Sequence, residues 1–238
     1  MTNHNPYQAP ATSISPAEVI GPAGGTLESG IAGNYDFEIM EVITEAWQKT
    51  DGAKGAIWGA SLIVYLVSAV MGFILAFIMG LLGASTEGQI VAILAQWLVT
   101  ILIYPFLVGV MMLGIRRSVN LPINSTLAFN YFSYTLPILG AAAIMLSFTL
   151  IGFILLIIPG IYLSLAYLLA MPLIVEKQLG PWQALEASRK AMTHHWFKLF
   201  FTWLLMGLIY LISLIPLGIG LIWTIPMMVN LNGILYRI

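Results

Sequence analysis

Long uncharged apolar stretches alternate in this chain with connections of two kinds, and all nine basic residues fall in one kind. Lys49 and Lys54 precede the first stretch, and Arg116 and Arg117 follow the second. Lys177, Arg189, Lys190 and Lys198 lie between the fourth and fifth, and Arg237 follows the sixth. The three remaining connections, around residues 85–87, 159–160 and 216, contain no Lys or Arg. Cytoplasmic flanks of membrane helices collect Lys and Arg, so the pattern predicts six transmembrane helices with both termini in the cytoplasm. A hairpin that dips in and returns would leave the same charge pattern. Length favours crossing: residues 134–175 and 199–236 are uncharged throughout, enough for two arms of roughly 20 residues each.

Composition excludes a soluble alternative. Sixty per cent of the residues are hydrophobic and 8% are charged, too few charges to cover a water-facing surface. The net charge of −1 offers no basic field for nucleic acid. With no cysteine, disulfides and thiolate chemistry are excluded. The expected fold class is therefore all-α: a polytopic membrane protein of six helices in three hairpins, each preceded by a cytoplasmic amphipathic helix.

Residues 1–34 are rich in Pro, Gly, Ser and Thr without apolar periodicity, which predicts a disordered cytoplasmic tail rather than a cleaved signal. Asn5, Pro6, Tyr7 and Pro10 form a candidate docking motif in it, the simpler reading being a solvated tail. Residues 35–54 form the first amphipathic helix. Ile39, Val42, Ile43, Ala46 and Trp47 share one face, and Glu38, Glu41, Glu45 and Gln48 the other. Surface helices that bind an anionic leaflet usually carry Lys and Arg, so an acidic back points to docking against the chain's own basic connections. The second and third amphipathic candidates are residues 122–134 and 180–197. The membrane domain spans residues 55–238, with the middle hairpin reversing at Pro159-Gly160. Aligning Pro105 with Pro226 sets Arg116 opposite Arg237, a weak internal repeat.

Residues 157–163, Ile-Ile-Pro-Gly-Ile-Tyr-Leu, precede Pro172-Leu173-Ile174-Val175-Glu176 and then Gly180, Ala184-Leu185 and Ser188. This pattern resembles the membrane-domain superfamily found in glycerophosphodiester phosphodiesterases and in related uncharacterised six-helix bacterial inner-membrane proteins. The resemblance is strongest over residues 136–200. It implies an all-helical protein of a bacterial inner membrane. In fused members catalysis belongs to a separate soluble barrel, for which the residues before the first stretch leave no room, so no phosphodiesterase activity is carried over.

Chemistry-bearing residues are sparse. No ionisable residue falls within an expected span, which weighs against proton-coupled transport and intramembrane acid–base catalysis. Gln96, Asn230 and Asn232 form a candidate intramembrane polar site, although such amides are commonly interhelical hydrogen bonds. Arg116, Arg117, Arg189, Lys190 and Lys198 are candidate contacts for anionic headgroups; as topology determinants they need no ligand. His194-His195 point about 100° apart on a helix, poor geometry for one metal. Trp47, Trp58, Trp182 and Trp196 fit an interfacial aromatic belt. The expected function is that of a non-enzymatic scaffold, assembly or lipid-organising module acting through its cytoplasmic face, with a permease or lipid-handling transporter as the alternative. The expected partners are membrane lipids and a cytoplasmic or membrane protein, without a cofactor.

Overall fold

The computed structural model describes residues 24–82 and 86–238. The docking motif at Asn5, Pro6, Tyr7 and Pro10 lies outside these residues, as does Ser85 of the connection expected around residues 85–87. Among the described residues all regular structure is helical. The ten α-helices are α1 (Leu27–Ala32), α2 (Ile39–Lys49), α3 (Lys54–Leu82), α4 (Thr86–Ser118), α5 (Thr135–Leu155), α6 (Ile157–Ala166), α7 (Ala170–Lys177), α8 (Pro181–His194), α9 (Trp196–Leu214) and α10 (Leu221–Arg237).

Five segments are long and apolar enough to cross a membrane: Lys54–Leu81, Gln89–Ser118, Ser125–Leu155, Ile157–Lys177 and Trp196–Leu214. The expected sixth, α10, is not among them. It has 17 residues, and its start lies against the first turns of α3. There the Trp58 indole N–H donates to the Ile222 carbonyl at 3.1 Å, and the Lys54 ammonium sits 5.3 Å from the Trp223 ring centroid. The outward surface of α3 is almost wholly apolar, with Leu66, Phe73, Phe77 and Leu81 exposed, and Ile90, Ile93 and Leu94 of α4 continue it. An apolar surface of this extent is unsuited to water.

Three local expectations are corrected. Residues 27–32, read as part of an unstructured tail, form α1. Thr26 caps α1 by accepting from the Ser29 N–H at 3.1 Å, and Gly33 closes it at φ 76°. A side chain at Gly33 would also strike the His194 ring. Residues 122–134 do not form an amphipathic α-helix but two 3-10 turns, Ser125–Phe129 and Phe132–Tyr134. Asn124 begins the first by accepting from the Leu127 N–H at 3.0 Å, a local bond that competes with helix continuation.

The middle reversal is not at Pro159-Gly160. It occurs at Leu156, which is extended (φ −160°, ψ 146°), and Pro159 lies in the first turn of α6, where its missing N–H costs nothing. Gly160 is required by packing rather than by a turn. A Cβ at Gly152 would come within 3.1 Å of Gly160 Cα, and one at Gly160 would strike the Phe153 ring. The fourth long stretch is itself interrupted between α6 and α7. The buried Ser188 hydroxyl of α8 enters the gap, donating to the Ala166 carbonyl at 2.7 Å while accepting from the Leu169 N–H at 3.2 Å. It satisfies backbone groups that the break would otherwise leave unpaired in an apolar setting.

Two contacts organise the body. Val64 of α3, Val110 and Leu113 of α4, and Ala128 of the first 3-10 turn form one apolar cluster. α4 and α10 then cross with their carboxyl ends on the same side. A Cβ at Gly114 would overlap the Val229 carbonyl, and one at Gly233 the Gly114 carbonyl. The two helices that the internal repeat aligns are thus in backbone contact.

Candidate functional site at the charged face

The carboxyl ends of α2, α4 and α10 meet in one hydrogen-bonded clasp. α2 buries Val42, Ile43 and Ala46 in the cluster that holds Leu231 and Ile234 of α10 and Met206 of α9. Burial of a Val or Ile side chain stabilises by roughly 1.5–3 kcal/mol. Its other side turns Glu45 toward α10, where Arg237 makes a two-pronged pair with both carboxylate oxygens, each at 2.8 Å. Arg237 also donates to the Ser118 carbonyl at 2.8 Å, satisfying the end of α4. The Lys49 ammonium donates to the same carbonyl at 3.1 Å and to the Asn120 side chain. Arg117 closes the ring by donating to the carbonyls of Lys49 and Asp51. Burial is the main cause holding the Lys49 ammonium below the usual lysine range.

A second set of contacts ties residues 25–37 across α8 and α9. The Gly25 N–H donates to the Arg237 carbonyl at 2.8 Å, and the Tyr35 hydroxyl donates to the Ala191 carbonyl at 2.7 Å. Burial, followed by the neighbouring Asp36 charge, pushes the Tyr35 hydroxyl up to about 12. Asp36 accepts from Lys198, which holds its carboxyl below the usual range. The Tyr35 and His195 rings meet edge-on with centroids 4.7 Å apart, and a His194 ring nitrogen lies 3.0 Å from the Ile31 carbonyl. The two histidines face different partners, and no group of three His, Asp or Glu able to hold a metal occurs among the described residues.

Beneath these contacts lies a cavity of about 80 Å³ between α1 and the inner ends of α7, α8, α9 and α10. Its lining is mainly apolar, with Lys177, Ser188, Tyr236 and Arg237 as polar members. Next to it lies a buried ionisable group, Glu176, the residue that ends the uncharged run 134–175. The Glu176 side chain is 4% exposed and 3.6 Å from the Lys177 ammonium. Glu176 Oε2, the Tyr236 hydroxyl and Arg116 Nε are all buried, with the Tyr236 hydroxyl beside the Glu176 carboxylate. Hydropathy alone does not reveal this cluster, because Glu176 closes an apolar run.

The five candidate headgroup contacts do not converge. Arg117 is committed to carbonyls, Lys198 to Asp36 and the Phe37 carbonyl, and Arg189 and Lys190 both to Glu186, at 2.8 and 3.5 Å. Their hydrogen bonds hold the half-buried Glu186 carboxyl below its usual range. Arg116 points instead toward Tyr131. The three candidate amides are also apart. Gln96 is exposed on α4, 18 residues before Gly114 and so about 27 Å away along the helix. Asn232 donates to the Met228 carbonyl of its own helix at 3.2 Å.

Asn230 is fully buried, and neither amide atom has a partner. It shares a helical stripe with Gly233 and Arg237, both of which touch α4. An orphaned buried amide costs about 1–3 kcal/mol relative to an apolar side chain of similar size. Asn230→Leu is therefore expected to raise the thermal midpoint of the detergent-solubilised protein by several degrees. A fall in that midpoint would show that the amide has a partner in the folded protein.

No protein-family model, curated protein or solved structure matches this chain.

Proposed function

We propose that the chain is a non-enzymatic module of a bacterial inner membrane, a scaffold, assembly or lipid-organising protein that works through its cytoplasmic face. Six membrane helices make three excursions from that face, and both termini remain on it. The observation that carries this reading is the division of the surface. The ion pairs, α1, α2 and α8 form one charged layer, whereas the far parts of α3 and α4 expose apolar side chains. The acidic, amphipathic α2 is built into that layer through Glu45, while Glu38, Glu41 and Trp47 remain exposed and available to a partner. The resemblance at residues 157–188 fits the same reading.

Gentle purification followed by mass spectrometry tests it. A defined protein or lipid is expected to copurify, and a protein that docks on α2 is expected to be lost from the Glu38→Lys, Glu41→Lys variant. Recovery of nothing above a matched membrane-protein control would remove the reading. The threading is tested on the naturally cysteine-free background. Cysteines at Thr86 and Leu156 are expected to react with an impermeant maleimide from outside, and one at Gln48 only after permeabilisation, whereas one at Leu217 tests whether the third hairpin crosses. Protection of Leu217 from outside would mean that α9 and α10 re-enter rather than cross.

The interruption between α6 and α7 favours a second reading, a lipid-handling transporter, because broken membrane helices often line binding sites. Absence of substrate-dependent flux in proteoliposomes would exclude it.

A further inference from the structure

We infer that the outer half of the α3–α4 hairpin is a docking surface for a second copy of this chain, with Gln96 meeting its own counterpart across a two-fold axis. This rests on the membrane placement proposed above. Past Val64 on α3, and before Pro105 on α4, no described residue is buried. Residues 65–82 alone make about 27 Å of helix, most of a hydrocarbon core of about 30 Å. Over much of the membrane depth the hairpin therefore stands clear of the rest of the body. One side of it is a shallow groove whose lining includes Gly72 and Ala76 of α3 and Ala92, Ile93, Gln96 and Trp97 of α4. Gln96 lies nine residues inside Glu87, about 14 Å along α4, among the exposed Ile93, Leu94 and Leu98. Thr100 donates to its backbone carbonyl at 2.9 Å, but its side-chain amide has no partner among the described residues. An amide facing hydrocarbon finds no hydrogen bond there, and a bond to another helix is the usual remedy.

The chemistry of the groove selects another copy as its occupant. Every copy keeps its basic connections on the cytoplasmic side, so a two-fold axis between copies runs along the membrane normal and equivalent residues meet at equal depth. A carboxamide carries both donors and an acceptor, so two glutamines at one depth pair reciprocally, Nε2–H to Oε1 in each direction. The groove also permits the approach. A Cβ at Gly72 meets nothing within 4 Å, and the alanines at 76 and 92 keep the neighbouring floor low. Two hairpins facing one another in this way make a four-helix bundle. A lipid chain would fill the groove without satisfying the amide.

Oxidative crosslinking of the full chain in proteoliposomes tests the assignment, again on the cysteine-free background. Ala92→Cys and Ile93→Cys are expected to give a disulfide-linked dimer. Leu81→Cys and Leu98→Cys, exposed on the sides away from the groove, are expected to stay monomeric. Energy transfer between labelled copies, followed as lipid is added, gives the dissociation constant in the bilayer. Gln96→Leu is expected to raise it about tenfold, the loss of a reciprocal pair of interhelical bonds. Gly72→Leu, which blocks the approach, should raise it at least as far. A single cooperative melting transition in detergent shows that each variant is folded. A chain that stays monomeric at the highest protein-to-lipid ratio, leaving the groove to lipid, would overturn the assignment. So would crosslinking of Leu98→Cys as efficient as that of Ile93→Cys, or an unchanged dissociation constant in Gln96→Leu. In native membranes, an Ile93→Cys adduct of any mass other than twice the chain's would overturn it equally. Oligomeric state is read here without a cytoplasmic partner, so a monomer leaves recruitment through α2 standing, and a dimer does not establish it.

Discussion

Replacing Gly114 or Gly233 with leucine is expected to lower the thermal midpoint of the detergent-solubilised protein by roughly 10 °C, or to prevent recovery of a single monodisperse species. At both positions a Cβ would overlap backbone carbonyl atoms of the opposing helix, which cannot rotate away as a side chain can. Accommodation requires the axes of α4 and α10 to separate, breaking the contact between Val229 and the Val110–Leu113 cluster. Overpacking commonly costs about 1–3 kcal/mol when side chains can adjust, so a backbone obstruction lies at or above the upper figure. For a chain of this size each kcal/mol moves the midpoint by about 2–4 °C. Gly80→Leu is the matched control: a Cβ there meets nothing within 4 Å, and its midpoint should not fall. Equal behaviour of Gly80→Leu and Gly114→Leu would show that α4 and α10 do not meet through these glycines.

Arg237→Ala is expected to destabilise by about 2–3 kcal/mol, and Arg237→Lys by about half as much. The guanidinium makes three hydrogen bonds at 2.8 Å, two to Glu45 and one to the Ser118 carbonyl. The paired side chains are only 22% and 25% exposed. The 0–1 kcal/mol that suits exposed pairs is therefore too low. Loss of one partner leaves a carboxylate and a helix-end carbonyl poorly solvated, whereas lysine keeps the charge but not the fork. In a double-mutant cycle with Glu45→Ala the coupling should reach about 1–2 kcal/mol. Coupling indistinguishable from zero would reduce the pair to a solvated contact.

The two variants mark the boundary of what is legible in the sequence. α2 is readable because apolar residues three and four apart must share a face whatever they pack against, and Val42, Ile43 and Ala46 are the ones buried. Its acidic side also points to basic partners, and Glu45 does find one. Its two hydrogen-bonded contacts come from Arg237, 192 residues away, with Lys49 one turn on at 3.9 Å. The candidate site was less legible. The bases singled out as headgroup contacts mostly meet internal acceptors, and the cavity is lined by residues drawn from α1, α7, α8, α9 and α10, which no local pattern links. Pro159-Gly160 carries the composition of a turn yet lies inside α6. The Phe153 ring over Gly160 and the close approach to Gly152 impose that glycine, and both are properties of packing.

Sequence alone determined the helical class, the long apolar segments and the confinement of the bases to alternate connections, because hydropathy and charge act on each segment separately through the solvent it tolerates. Only the tertiary structure decided which bases are spent on carboxylates and carbonyls, where the fourth long stretch breaks, and why Gly114, Gly233 and Ser188 stand where they do. Those outcomes depend on which backbones come into van der Waals contact with each other, and such approaches are set by long-range packing that no window of sequence contains.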